Sequence, residues 1–262
     1  MDDTEARPLV RVERRDHVAV LTLDDPRRAN AFTLAMCDQI NVAVDALESD
    51  PDVSALVVTG AGPVFCAGAD LSSLGDSREH GLRAIYDGFL RIARCSLPTV
   101  AAVNGAAVGA GMNLALAADV RIVSPSARFD TRFLTLGIHP GGGHSWMLRR
   151  AVGHQNASAM MLFGQVLEGE EAERRGLAYH CVEAGSLTDA AVEFAAGAGA
   201  APRELLIRAT DTLRTIDTAA THDEAVEREL VTQLWSMDQG DFAERLAALS
   251  KRIRVDPPTA AD

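Results

Sequence analysis

The amino-acid sequence predicts an α/β fold, and three observations lead to it. Apolar runs of strand length recur without an interior charge, "SALVVT" and "TVAAV" among them, as expected of strands covered on both faces. Each run leads into a glycine-punctuated loop and then a segment with apolar residues at helical spacing, so strand, loop and helix occur twice in succession, the pattern of crossover connections. Beyond residue 188 the pattern is helical throughout.

The elements follow in order. "LVRVERRDHVAVLTL" gives two β-rich runs joined by a turn at Arg15-Asp16, an antiparallel hairpin. After "DDPRRANAF", Thr33 is placed to cap a helix whose Leu34, Cys37, Ile40, Val44 and Leu47 share one face. Pro51 follows it, and "SALVVT" is a buried strand. "GAGPVFCAGADLSSL" reads as a loop, and the next helix turns Leu82, Ile85, Phe89 and Ile92 inward and ends by Pro98. "TVAAV" is a second buried strand, followed by a helix from about Met112 and by "DVRIVS" as a strand. After "PGGGH", residues 145 to 176 read as helical, "AYHCV" as a last short strand, and 188 to 253 as helices separated at "GAGAGAAP", Thr221 and Gly240. Val226, Leu230, Leu234 and Met237 form an apolar stripe, read plainly as core and more sharply as subunit packing. The two ends, residues 1 to 6 and "DPPTAAD", read as loose. No repeat of 20 to 50 residues is visible.

With 262 residues, 47% of them apolar and 24% charged, the chain can bury one sizeable core with a small appended subdomain. A formal charge of -12 excludes nucleic acid or an anionic membrane as a general partner, because the mean field repels phosphate. An anionic ligand must find local arginine, since Lys251 is the only lysine. Cys37, Cys66, Cys95 and Cys181 are widely spaced and form no C-x-x-C pair, so they read as buried thiols in a reducing cytoplasm. The acidic start "MDDTEARPLV" lacks a signal peptide's apolar region. Residues 98 to 118 are uncharged and long enough to span a bilayer, but Asn104, Gly105, Gly109, Gly111 and Asn113 interrupt them, and a strand, loop and helix account for them better.

Two loops carry the chemistry: "CAGADL", residues 66 to 71, and "NGAAVGAG", residues 104 to 111. Each follows an apolar strand and precedes a helix, so each can aim a backbone N–H outward near a positive helix end. Small residues let a ligand approach the backbone. Alone, either loop is equally well an ordinary tight turn.

In order, "RRANAF", "ALVVTGAGPVFCAGADL", "PTVAAVNGAAVGAGMNLALAADVRIV", "ARFDTRFLTLGIHPGGGHSWMLRRAVG" and "GEEAERRGLAYHCVE" resemble the crotonase superfamily, which includes the enoyl-CoA hydratases and isomerases. The resemblance runs from about residue 8 to residue 185, with the tail fitting the family's C-terminal subdomain more loosely. It implies a spiral core of stacked ββα turns in residues 1–190, a helical oligomerisation or lid region in 191–262, and trimers that often pair into hexamers. It implies a CoA thioester as substrate or ligand and no separate cofactor. The thioester oxygen would lie between two backbone N–H groups, which carry over to Ala69 and Ala110. Arg28 matches the basic position that contacts CoA phosphate, where a guanidinium offers a fork of donors. Cys66, Ala67 and Ala69 match the strip that frames the adenine, and Gly68, Asp70, Leu71 and Gly109 complete the binding set.

The sequence departs from the family at the acid-base groups. Asn113 and Phe133 stand where hydratases have their two glutamates, and neither a carboxamide nor a phenyl ring exchanges protons at neutral pH. Each such group is typically worth about 100- to 10,000-fold in rate, so ordinary hydration should suffer severely. His139, and less so His144, could serve as acid or base, because histidine titrates near neutrality. The pair has no further ligand at metal spacing, so no metal site is expected. Asp130 reads as a surface turn. Asp119 reads as an anchor for backbone N–H groups at a helix-strand junction. Two functions compete: an enoyl-CoA hydratase or isomerase with a nonstandard proton carrier, and an acyl-CoA-binding protein without turnover. A nucleotide-dependent oxidoreductase is disfavoured, because "GAG" is not a full G-x-G-x-x-G with its acidic partner.

Overall fold

The computed structural model of the chain describes residues 7–70 and 78–255. The opening hairpin is β1 (Val10–Arg15) and β2 (Val18–Leu23), antiparallel in register from Val10 opposite Leu23 to Arg15 opposite Val18. Asp16 makes the turn with φ 53°, a conformation that aspartate tolerates better than most residues. Helix α1 (Leu34–Ser49) is capped by the Thr33 hydroxyl, which accepts from Met36 N at 3.2 Å, and it buries Met36, Cys37, Ile40, Val44 and Leu47.

From there the chain alternates between two sheets. β3 (Ala55–Gly60), β5 (Thr99–Val103) and β7 (Val120–Val123) extend the hairpin into a six-stranded sheet of order β1-β2-β3-β5-β7-β10, with β10 (His180–Cys181) at its edge. β4 (Val64–Cys66), β6 (Ala106–Val108) and β8 (Arg128–Asp130) pair in parallel in a second sheet, which β9 (Leu167–Glu168) closes antiparallel. Each pair of strands is followed by a helix: α2 (Arg78–Ala93), α3 (Ala110–Ala117) and α4 (His144–Phe163). These are stacked ββα turns, as the resemblance implies.

β3 and β5 are buried at every position, which explains their uninterrupted apolar runs. One face of the large sheet, with Val20, Val57, Val100 and Ile122, is covered by Leu187, Ala191 and Ala195 of α6 (Leu187–Ala196). That packing corrects the domain boundary. A division at 190/191 cuts through α6, whereas the chain separates into compact units at Ala200/Ala201.

Two further corrections concern elements. The stretch 145–176 is not continuous helix: α4 turns at Gly153 (φ 73°), and β9 precedes α5 (Gly169–Arg174). α3 starts at Ala110, two residues before the expected Met112.

The second unit contains α7 (Arg203–Thr215), α8 (His222–Met237) and α9 (Gly240–Val255). The Thr221 hydroxyl caps α8 by accepting from Glu224 N at 3.1 Å, and Arg208 stacks on the Trp235 ring at 4.0 Å. Val226, Leu230, Leu234 and Met237 are exposed in this chain and are not its core. No described helix is long and apolar enough to cross a membrane.

Candidate active site

β4 and β6 lie side by side, Cys66 opposite Ala107, so the loops that leave them emerge together. The first loop is tied to residues 29–32: Ala67 N donates to Ala29 O at 3.0 Å, Phe32 N to Gly68 O at 2.8 Å, and Asp70 N to Phe32 O at 2.9 Å. Because Phe32 uses both its backbone groups on Gly68 and Asp70, Ala69 turns its own N–H to the opposite side, as parallel pairing requires. The segment 29–32 is held by buried Asn30, which donates to Ala61 O and Val64 O and accepts from Asp25 N.

The second loop turns at Gly109, whose φ 53° and ψ -113° are open only to glycine. Gly109 N donates to Asp130 O, and the first intrahelical bond of α3 is Asn113 N to Gly109 O. Ala110 N therefore has no helical acceptor, and Gly109 offers no side-chain cap. Among the described residues, neither Ala69 N nor Ala110 N donates to a protein acceptor. A Cβ at Gly68 would stand 2.9 Å from Val108 O and 3.8 Å from Ala110 N, and one at Gly111 would overlap Cys66 O. These two glycines are needed for loop to approach loop, and not only for a ligand to approach the backbone.

Ala69, Ala110, Asn113, Phe133 and His139 line one cavity of about 600 Å³, together with Ala67, Gly68 and Gly109. Other expected positions fall elsewhere. The Cys66 side chain is wholly buried, its Sγ lies 3.8 Å from Gly68 O, and burial pushes its thiol up to about 12, so it cannot touch a ligand as expected. Arg28 stands with Arg27 in a separate surface recess, 4.0 Å from the Asp70 carboxylate. Asp70 is half-buried beside Ala69 and does not line the cavity. Leu71 lies outside the described residues. Asp119 accepts from Thr99 N and Oγ1 at 2.7 and 2.8 Å, an anchor at the start of β5. Asp130 is buried in β8 and paired with Arg132 at 2.5 Å, not on a surface turn.

Asn113 is committed to the protein more fully than expected. Its Nδ2 donates to Gly141 O at 3.0 Å, so its Oδ1 must be the atom 2.6 Å from His144 Nδ1. An amide oxygen only accepts, so His144 carries its proton on Nδ1. His144 is buried against the edge of the Phe133 ring, centroids 4.9 Å apart, and its Nε2 has no partner. It does not line the cavity, and burial pushes its pKa down to about 4. It therefore serves as a neutral support for Asn113, in place of the acid or base considered from sequence. His139 is exposed on the cavity wall and directs Nδ1 to Pro140 O at 2.7 Å, which leaves Nε2 as its outward end.

His144 makes stability pH-dependent. The unfolded imidazole titrates near 6.5 and the folded one near 4, so between those values the unfolded state binds more protons. The stabilisation is complete above about pH 6.5 and is lost as pH falls, by about 2 kcal/mol at pH 5. Urea unfolding at pH 7.5 and pH 5 should show this loss, and His144→Gln, which keeps a donor without titrating, should shrink the difference.

Among the wall residues that sequence reasoning missed are Arg78, Tyr86 and Arg132. Arg78 and Tyr86 share the face of α2 that carries Leu82 and Ile85, at helical spacing, so the periodicity contained the signal. No carboxylate lines the cavity among the described residues, and no cluster of metal-binding side chains occurs among them.

The spiral of ββα turns and paired loops defines a crotonase-superfamily protein. The family model "Enoyl-CoA hydratase/isomerase" matches residues 13–249, and the chain belongs to that family. The chain is 51% identical over 245 residues to the probable enoyl-CoA hydratase EchA14 of Mycobacterium tuberculosis, covering 90% of this chain and 95% of that one. It is 36% identical over 186 residues to the 1,2-epoxyphenylacetyl-CoA isomerase of Escherichia coli, covering 68% and 71% respectively. A crystal structure of a probable enoyl-CoA hydratase/isomerase from Mycobacterium abscessus superposes with a TM-score of 0.87 at 31% identity, covering 93% of this chain and 96% of that one.

Proposed function

We propose that the cavity binds a CoA thioester with its carbonyl oxygen between the N–H groups of Ala69 and Ala110, and that this oxyanion hole stabilises the enolate formed when the α-proton leaves. The observation that supports this reading is that both amides belong to one cavity wall and neither is spent on a protein acceptor among the described residues. Donors fixed in place before charge develops cost no reorganisation at the moment of reaction. Arg27 and Arg28 are the cations for CoA phosphate, supplying locally what the acidic chain lacks. Ala67, Gly68 and Gly109 form the backbone strip beside the thioester.

Proton transfer falls to His139, whose imidazole stands on the wall, because Asn113 cannot carry a proton and Phe133 makes its side of the cavity dry. Standard hydration is correspondingly weak. The same lack of a described carboxylate favours a second reading, in which the protein binds acyl-CoA without turnover. The exposed apolar residues of α8 suit self-association as a trimer or a dimer of trimers, in the cytoplasm.

A panel of enoyl-CoA thioesters separates the two readings. Product formation that disappears in His139→Ala supports the enzyme. Micromolar binding without turnover supports the carrier, and absence of binding to every thioester overturns both.

A further inference from the structure

The wall of the cavity is cationic in a chain of formal charge -12. Arg78, at the start of α2, faces the cavity from one side, and Arg132, in the segment after β8, belongs to it as well. Arg132 spends Nε and Nη2 on Asp130, which leaves its Nη1 edge. Arg78 has no hydrogen bond or ion pair among the described residues, whereas Arg83 and Arg91 of the same helix, and Arg94 just after it, each pair with a carboxylate.

The neutral groups nearby offer donors too. The Tyr86 hydroxyl packs so closely on Gly141 that a Cβ there would overlap it, and it stands on the wall with a proton to give. The Asn113 oxygen is occupied by His144, so what that side chain can still present is its second Nδ2 proton. A cavity that offers donors and guanidinium, with no described carboxylate, is matched by an anionic, acceptor-rich group. Arg78 is exposed where it meets the cavity, so a plain alkyl chain would gain nothing from its guanidinium, whereas an anionic end would pair with it.

We propose that the acyl chain held here ends in a carboxylate, so that the ligand is the CoA thioester of a short dicarboxylic acid and Arg78 is the residue that reads its far end. This rests on the thioester reading above, with the CoA phosphates held separately at Arg27 and Arg28. A guanidinium grips a carboxylate through two parallel hydrogen bonds, an arrangement that discriminates geometry as well as charge.

Calorimetric titration of the full chain with glutaryl-CoA, hexanoyl-CoA and free CoA tests it. The parent should bind glutaryl-CoA about tenfold more tightly than hexanoyl-CoA, as a charge-assisted pair predicts. Arg78→Gln should bring that ratio close to one, and Arg78→Lys should restore part of it. Equal affinity for the two thioesters in the parent overturns the inference and leaves the thioester reading standing. So does an Arg78→Gln variant that weakens all three ligands equally, because Arg78 then reads CoA itself. Failure of all three to bind removes the thioester reading and this inference together.

Discussion

Ala110→Pro is expected to slow α-proton exchange on a bound acyl-CoA by about 100- to 1,000-fold, the usual effect of deleting one oxyanion-hole donor. Proline is suited to this test because Ala110 is the first residue of α3, where the missing N–H breaks no helical bond and the fixed φ already fits. The residue before it, Gly109, holds positive φ with ψ -113°, the mirror image of the extended backbone that precedes proline most readily. The substitution therefore removes a donor and puts ring carbon where the thioester oxygen would rest. Deuterium incorporation at C2 of hexanoyl-CoA, followed in heavy water by mass spectrometry, measures the effect, and Ala110→Gly, which keeps the amide, is the control. If the parent binds without exchange, the same change is read as weakened affinity. A folded Ala110→Pro protein that binds and exchanges like the parent removes Ala110 from the hole.

What the sequence showed and what it hid have physical causes. β3 and β5 were legible because strands buried on both faces need unbroken apolar runs, and α1 because Thr33 caps it and five apolar residues repeat along one face. The second sheet was hidden: β4, β6 and β8 are three residues each, too short for alternation to register, and β4 and β6 read as parts of glycine loops. Yet those strands are what bring Ala69 and Ala110 together. The bond between Asn113 and His144 joins residues 31 apart and leaves no local trace, so the histidine looked free to react when it is buried and spoken for. Cys66 misled in another way. Ala67, next to it in sequence, faces the cavity, but Cys66 itself ends β4 wholly buried in the core.

Asn113→Glu combined with Phe133→Glu is expected to raise crotonyl-CoA hydration about 100-fold or more over the parent, the scale of one positioned acid-base group. Both side chains already stand on the cavity wall, with the Phe133 ring about 4.0 Å from where a Cβ on Gly109 would lie, beside the proposed hole. The surroundings can accept a carboxylate at 113. The His144 Nδ1–H that now serves the amide oxygen would donate equally well to a carboxylate. Gly141 O would lose Asn113 but keep the His144 backbone N–H at 3.3 Å. Burial raises the new carboxyl's pKa and the His144 bond lowers it, and the balance decides how much base is present at neutral pH. Asn113→Asp reaches one methylene less far and should gain much less. The two glutamates act on one water and one carbon, so the double variant should exceed the product of the single gains. Loss of the enoyl thioester's absorbance reports the rate. A double variant that folds, binds hexanoyl-CoA and hydrates no faster than the parent shows that positions 113 and 133 do not face the reacting carbons, whatever wall they line.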